Sequence, residues 1–243
     1  MITAALVGVL LVGSPPAEAP PRLIDPQLVG YYGRAVAARE GGEYQKSLAM
    51  FSLLLLPKTT TVFVDYATAP PAQRESFREG IERGFALWQD ALGADLPFRL
   101  SQSPNGAAIQ VRFVETLQDG ASFHKGEIRS KRRIQWNQEV HYFEFTAEID
   151  VVSTAGQRYM TGDEIVHITA HELGHALGLG DTREMNRIMG PVLLGNPFSR
   201  ISQEEAESVR EFRRMVRSQI AQTKALLSTR TDAAKSGLVS LNR

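Results

Sequence analysis

Two histidines and a glutamate, His171, Glu172 and His175, carry the side chains of this chain that are best suited to metal-assisted chemistry. Residues four apart share one face of a helix, so His171 and His175 can present two imidazoles to a single metal ion. Glu172 then lies about 100° further round the helix axis, where its carboxylate can exchange protons beside the ion. The spacing therefore predicts a zinc site suited to hydrolysis.

A third protein ligand must follow the second histidine, because a catalytic zinc ion takes three protein ligands and one water. Gly178 is predicted to end the helix, since a residue without a Cβ readily adopts the left-handed conformation that helix ends favour. The two residues after it give a turn that can bring Asp181 back beneath the ion. The predicted metal ligands are therefore His171, His175 and Asp181.

The chain resembles the metzincin metalloproteases, and the resemblance is carried by the run His171-Glu172-x-x-His175-x-x-Gly178-x-x-Asp181 with Met189 downstream. The four residues from Ile188 to Pro191 are similar to the Met-turn of that family in its matrixin-like form. Histidine is the usual third ligand in the pattern, and aspartate takes its place in some members, as it does here. The motif covers about residues 161–191, and the order of elements extends the resemblance to about 61–217.

This resemblance implies a zinc-dependent endopeptidase that acts on a peptide or protein substrate. Zn²⁺ held by His171, His175 and Asp181 would activate a water molecule and polarise the scissile carbonyl. Glu172 would be the general base that takes the proton of this water and passes it to the leaving amine. Met189 is expected to pack beneath the ligands without binding the ion, because a thioether is a weak donor to zinc.

The elements that must position these residues indicate an α+β fold. Thr161 and Glu164 form a capping box that opens the active-site helix, and Ser202 and Glu205 form a second one that opens a C-terminal helix. Apolar residues at three- and four-residue steps predict a helix with one buried stripe that ends near Leu92. Strands are predicted at 60–66, 97–102 and 108–114, and a hairpin with arms at 127–136 and 140–152 that turns at Asn137-Gln138.

The resemblance implies how these elements assemble: a twisted, mostly parallel sheet with an antiparallel edge strand, followed by the active-site helix, the Met-turn and the C-terminal helix. The edge strand is placed in 127–136, where it would pair with substrate backbone. Lys131-Arg132-Arg133 lies on this strand. These cations either protect an exposed edge from aggregation or select the substrate, and the sequence leaves both interpretations open.

The N-terminal region is predicted to lie outside the catalytic unit. Residues 1–19 have a short apolar run followed by Ala-Glu-Ala, which indicates a signal peptide, a short membrane anchor or a wrongly assigned start. Residues 20–58 form a proline-rich linker and a helical hairpin with helices near 28–39 and 43–56, either packed on the domain or serving as a pro-segment or docking element. The catalytic domain is predicted at 59–228 and a flexible tail at 229–243.

Composition limits the partners and the location. The formal net charge is zero, so no overall field favours nucleic acid, and a membrane is expected as a partner only if the N-terminal segment stays uncleaved. The chain has no cysteine, which excludes disulfides and latency through a cysteine of its own. The N-terminal run predicts a secreted, periplasmic or extracellular protein, with membrane anchoring as the alternative.

Alternatives to the active-protease interpretation remain open in the sequence. The domain could be a metzincin-like binding or scaffold protein that has lost catalysis, although an intact Glu172 argues against this. The third ligand could instead be Glu204 or Glu205 on the later helix, as in thermolysin-like enzymes. His167 could join the histidine stripe, but it lies one turn too early to reach the same ion as Asp181 and is interpreted as a packed or hydrogen-bonded neighbour.

Overall fold

A five-stranded sheet frames the computed structural model, which describes residues 19–119, 122–136 and 141–240. Its strands are β1 (Thr60–Asp65), β2 (Phe98–Ser101), β3 (Ile109–Val114), β6 (Gly126–Trp136) and β7 (His141–Val152). The strand order is β2-β1-β3-β7-β6. All neighbours pair in parallel except β6, which runs antiparallel to β7 at the sheet edge. The mostly parallel sheet with one antiparallel edge strand confirms the predicted fold class.

Alternation of side chains gives the sheet its buried face. In β1 the buried residues are Thr60, Val62 and Val64, with partly buried residues between them. Ile109, Val111 and Phe113 follow the same alternation in β3, as expected for a period-two strand against a core. The ring of Phe113 stacks on that of Phe77 in α3 (Arg74–Leu92), with centroids 5.1 Å apart.

Helix α3 also contacts the active-site helix α4 (Gly162–Leu177) directly. The indole of Trp88, which is fully buried, donates a hydrogen bond of 2.7 Å to the carbonyl of Ala170. This bond satisfies the one polar atom of a large core side chain and fixes α3 against α4.

Short elements complete the connections. β4 (Leu117–Asp119) pairs with β5 (Ser122–His124), and β8 (Thr154–Ala155) pairs with β9 (Arg158–Tyr159). Single 3₁₀ turns occur at Tyr66–Thr68, Pro71–Gln73 and Gly93–Asp95. The turn predicted at Asn137-Gln138 lies outside the described residues, but the two arms it would join are the antiparallel pair β6 and β7.

The N-terminal hairpin consists of α1 (Pro26–Glu40) and α2 (Tyr44–Ser52). α1 starts two residues earlier than predicted because Pro26 suits the first helical position and the Asp25 carboxylate accepts a hydrogen bond from the Gln27 N–H. α2 ends at Ser52 and not at the predicted residue 56. The buried ring of Tyr32 lies 5.6 Å from that of Phe51 and 6.3 Å from that of Phe212, so the hairpin packs on the C-terminal helix.

The C-terminal helix α5 runs from Gln203 to Ser240. Residues 229–240, predicted as a flexible tail, are therefore helical, and the last three residues lie outside the described part. No proline follows Gln203, so no residue after it lacks the backbone N–H that a helix needs. In the described ranges, none of the helices has the length and apolar content needed to span a bilayer. Of the predicted leader at 1–19, only the last residue is described.

Candidate metal centre

Helix α4 begins at the predicted capping box of Thr161 and Glu164 and ends at the predicted glycine, Gly178. The Thr161 hydroxyl accepts from the Glu164 N–H at 3.2 Å, and the Glu164 carboxylate accepts from the Thr161 N–H at 2.8 Å, which makes a complete capping box. At the other end Gly178 has φ 104° and ψ 10°, a left-handed conformation that costs a glycine little. The chain reverses at this glycine, as predicted.

The reversal brings Asp181 to the two histidines. Its Oδ1 lies 3.2 Å from His171 Nε2 and 3.4 Å from His175 Nε2, and the two Nε2 atoms are 3.1 Å apart. In a tetrahedral zinc site with bonds of about 2.0–2.1 Å, ligand atoms are separated by about 3.3 Å. Within the described part of the chain, these three residues form the one group of His, Asp and Glu side chains close enough to hold a metal ion.

The remaining ring nitrogens fix the orientation of both imidazoles. His171 Nδ1 lies 2.9 Å from the carbonyl of Ile188, and His175 Nδ1 lies 2.9 Å from the carbonyl of Leu179. A carbonyl only accepts, so each Nδ1 carries a proton, and each Nε2 is the nitrogen that would bind a metal ion in place of its own proton. Two nitrogen lone pairs and one carboxylate oxygen at this spacing fit Zn²⁺.

Charge in the cluster favours a bound cation. Hydrogen bonding to His171 and His175 holds the pKa of Asp181 well below its usual range. Burial lowers the pKa of His175, but the hydrogen bond to Asp181 and the charge of Glu172 outweigh it and raise the pKa to about 9. Two carboxylates that stabilise a positive imidazole would equally stabilise a metal cation in its place.

Glu172 lies beside the cluster and is almost completely buried, with 4% of its surface exposed. Burial raises its pKa, and the charges of His171 and His175 only partly offset that effect. The carboxylate reaches the edge strand at Gly126, where any Cβ would overlap it. A carboxylate with a raised pKa next to a metal site is a suitable general base.

The Met-turn, residues 188–191, is hydrogen-bonded to the loop that carries Asp181. Met189 is 1% exposed, and its backbone carbonyl accepts a hydrogen bond of 2.8 Å from the N–H of Thr182, the residue after Asp181. Its own N–H donates to the buried carboxylate of Glu205 at 3.0 Å. The carbonyl and the N–H of Met189 therefore connect the loop from Gly178 to Thr182, which carries Asp181 and is called the ligand loop below, to α5.

Neither glutamate considered as an alternative third ligand reaches the cluster. The Glu205 carboxylate accepts from Met189 and from both the N–H and the hydroxyl of Ser202. The Glu204 carboxylate binds Arg187 at 2.5 Å and Arg22 at 3.2 Å. Both carboxylates are engaged in holding the start of α5, which leaves Asp181 as the carboxylate that meets the two histidines.

The other described histidines lie outside the ligand group. His167 is fully buried, and its Nδ1 accepts a hydrogen bond of 3.0 Å from the Phe198 N–H, so it is a hydrogen-bonded neighbour as predicted. Burial lowers its pKa and favours the neutral ring. His124 is exposed at the end of β5 and lines the cleft, a position that its sequence context did not indicate.

A cleft of about 540 Å³ opens over His171, His175 and Asp181. Strand β6 lines the cleft, and so do the N-cap residue Asp25 and three residues of helix α1, Gln27, Leu28 and Tyr31. Sequence reasoning missed the α1 residues, because no periodicity within 26–40 shows which distant surface the helix meets.

Arg132 also lines the cleft, and its contacts differ from those of a cation that only protects an exposed strand edge. Its guanidinium is largely buried and donates to the carbonyls of Leu53 at 2.7 Å and Ala176 at 3.4 Å. Burial lowers its pKa to about 10. Strand alternation could have predicted that Arg132 faces the protein interior, since its side chain must point away from the face that carries Lys131 and Arg133.

Comparison with known protein families identifies the core of the chain. A family model described as matrixin, a peptidase family, matches residues 57–212, which include the whole sheet, α4, the ligand loop and the Met-turn. No curated protein matches the chain. The match begins after the N-terminal hairpin and ends within α5.

Proposed function

The chain belongs to the matrixin family, a family of zinc metallopeptidases, and from that premise we propose that it is an active zinc-dependent endopeptidase in which Glu172 is the general base. The observation that supports this most is the meeting of His171, His175 and Asp181 beside a buried carboxylate at the base of a cleft. Each of these four side chains is at a position where the family motif has a ligand or a base.

His171, His175 and Asp181 would hold the metal through two Nε2 atoms and one Oδ1 atom. When bound, zinc supplies Lewis acidity, which polarises the scissile carbonyl and makes a water molecule acidic near neutral pH. The Ile188 and Leu179 carbonyls keep both histidines in the tautomer that this role needs.

Glu172 accepts the proton of the attacking water and returns it to the leaving amine. Its burial suits both steps, because the raised pKa lets the carboxylate hold the proton between them. The unpaired side of β6 offers backbone groups to an extended substrate, so the peptide would lie in the cleft next to this carboxylate.

The decisive experiment compares bound zinc and hydrolysis of casein or a peptide library for wild type and Glu172→Ala. The variant should retain zinc and lose about 10²- to 10⁴-fold in kcat/KM. Zinc retention together with no cleavage by the wild type would instead favour the catalytically inactive scaffold.

The ligand set is tested separately. Asp181→Ala should lose zinc during dialysis against a weak chelator, whereas the matched carboxylate variant Glu204→Ala should keep it. The reverse result would assign the third ligand to the C-terminal helix.

Export is part of this proposal. Matrixins are usually extracellular, and the apolar run that starts at Met1 supports a cleaved leader. Detection of a mature N-terminus near residue 20 in the medium would support export, and an intact chain in the membrane fraction would support anchoring.

A further inference from the structure

One side of the cleft over the metal site comes from outside the region that matches the family model. Leu28 and Tyr31 of α1 line the cleft, while the match starts at residue 57. Tyr31 is 42% exposed, whereas the neighbouring Tyr32 is 3% exposed, so α1 buries one tyrosine ring and presents the other. We refer to Leu28 and Tyr31 as the α1 wall.

Backbone bonds hold the α1 wall in place. The Asp25 N–H donates to the Gly178 carbonyl at 3.0 Å, and the Gly180 N–H donates to the Leu23 carbonyl at 2.9 Å. The Leu28 side chain packs against Gly178, where a Cβ would lie 3.1 Å from its Cδ1. The wall is therefore joined to the same loop that carries Asp181.

The ring of Tyr31 is also held in position. The Arg34 guanidinium lies over it, 4.2 Å from the ring centroid, at a distance typical of a cation–π contact. An aromatic surface that is fixed before a ligand binds loses little entropy on binding, so this ring is suited to recognition.

The direction of β6 decides which part of a substrate would meet the α1 wall. β6 begins at Gly126 next to the Glu172 carboxylate and continues to Arg132, which binds the Ala176 carbonyl at the end of α4 and the Leu53 carbonyl of the hairpin. Antiparallel pairing is the more stable ladder per residue. A substrate paired in that way places the residues before its scissile bond at the Arg132 end, beside the hairpin.

We propose that Leu28 and Tyr31 form a specificity subsite for an apolar or aromatic side chain on the N-terminal side of the scissile bond. The proposal rests on the proposed peptidase function, because it assigns substrate residues relative to the bond that is cut. It adds a specificity element from the N-terminal hairpin to the site held by the matrixin core, and it requires the hairpin to remain with the mature enzyme.

Peptide hydroxamates test the subsite without turnover, because the chelating group fixes the register at the metal. A tripeptide with a C-terminal hydroxamate places all its residues on the N-terminal side, and one with an N-terminal succinyl hydroxamate places them on the C-terminal side. Dissociation constants are measured by calorimetry on zinc-loaded protein for Phe-containing and Gly-containing versions of each.

Tyr31→Ala should weaken binding of the Phe-containing tripeptide with the C-terminal hydroxamate by about tenfold. Its affinities for the Gly-containing tripeptide and for both succinyl hydroxamates should stay unchanged. Leu28→Ala should act in the same direction, and Tyr31→Phe should keep wild-type affinity. Tyr159→Ala is the matched control, since Tyr159 is similarly exposed at 47% but lies on β9 outside the cleft.

Each outcome decides between the two proposals. Equal affinities for wild type and Tyr31→Ala, or a loss confined to the succinyl series, overturn the subsite while leaving the peptidase function intact. The expected loss in a protein that cleaves no peptide supports the subsite and overturns the enzyme. A chain that retains no zinc and binds no hydroxamate overturns both.

Discussion

The sulfur of Met189 lies against the backbone of Gly174, so closely that any Cβ at position 174 would overlap it. Gly174 precedes His175 in α4, and Met189 belongs to the turn that follows the ligand loop. The contact sets how deeply the Met-turn can pack beneath the two histidines. A glycine is required here for close approach and not for a special backbone conformation.

Gly174→Ala should therefore push Met189 away from α4. Because overpacked core positions typically cost about 1–3 kcal/mol, we expect a loss of this size in the free energy of unfolding, measured by urea titration. The control is Gly33→Ala in α1, where an added Cβ meets nothing within 4 Å. Because alanine has a higher helix propensity than glycine, Gly33→Ala should leave the free energy of unfolding unchanged or raise it by up to about 1 kcal/mol. Equal effects of the two substitutions would contradict the packing argument.

Glu164 links three parts of the site and should make stability depend on pH. Its fully buried carboxylate binds the Arg158 guanidinium at 2.6 and 2.7 Å and accepts from the N–H of Gly195 at 2.8 Å. Together with the Thr161 bond, and against the effect of burial, these contacts lower its pKa from 4.5 to about 2.

A folded-state pKa below the unfolded value stabilises the protein above about pH 4.5, and this contribution is lost as the pH falls towards 2. Glu164→Gln should therefore be less stable than wild type by about 3 kcal/mol near pH 7, and the difference should shrink between about pH 4.5 and 2. Chemical unfolding across this range measures it. Glu75→Gln, which alters an exposed pair with Arg78, should stay close to wild type throughout. A Glu164→Gln deficit that does not change with pH would be inconsistent with an ionised native carboxylate.

The parts of the site that were predictable from sequence are those encoded locally. The four-residue spacing of His171 and His175, the capping box at Thr161 and the helix end at Gly178 all depend on residues within one helix and its ends. The centre of the sheet was predictable for the same reason, because period-two alternation marks β1 and β3. The matrixin-like motif then supplied the order in which these elements assemble.

Contacts between distant segments were not predictable. The Glu205 carboxylate has a local capping role that the sequence shows, but its bond to the Met189 N–H depends on the path of the chain between them. The same holds for the Leu23 carbonyl and the Gly180 N–H, which are far apart in sequence. Periodicity reports which face of an element is buried and does not identify the element that covers it.

Arg132 should contribute to stability where its neighbour Arg133 does not. Arg132→Ala would leave the carbonyls of Leu53 and Ala176 without their donor and would remove the guanidinium that lies 5.4 Å from the Phe145 ring centroid. Since an unsatisfied buried acceptor costs about 1–3 kcal/mol, we expect a total loss of about 3 kcal/mol in unfolding free energy. Arg133 pairs at 3.7 Å with Glu144 on the exposed face, so Arg133→Ala should cost less than about 1 kcal/mol. Similar losses for both variants would argue against a buried role for Arg132.

The N-terminal segment should support metal binding through the backbone. Deletion of residues 1–25 removes the Leu23 carbonyl and the Asp25 N–H, which bind the loop at Gly180 and Gly178 and so restrict Asp181. Each such hydrogen bond contributes about 0.5–1.5 kcal/mol, so the two together correspond to about a 5- to 150-fold loss of zinc affinity. Competition with a chromophoric chelator measures this loss.

Two controls separate this backbone effect from charge and from length. Deletion of residues 1–18 keeps every one of these contacts and should leave the zinc affinity unchanged. Arg22→Ala removes ion pairs to Glu184 and Glu204 that involve exposed side chains, so it should change the affinity by less than about twofold. If the longer deletion binds zinc as tightly as the shorter one, the ligand loop holds Asp181 without help from the N-terminal segment. In that case the antiparallel bridge between Ile24 and Leu179 would serve only to attach the hairpin.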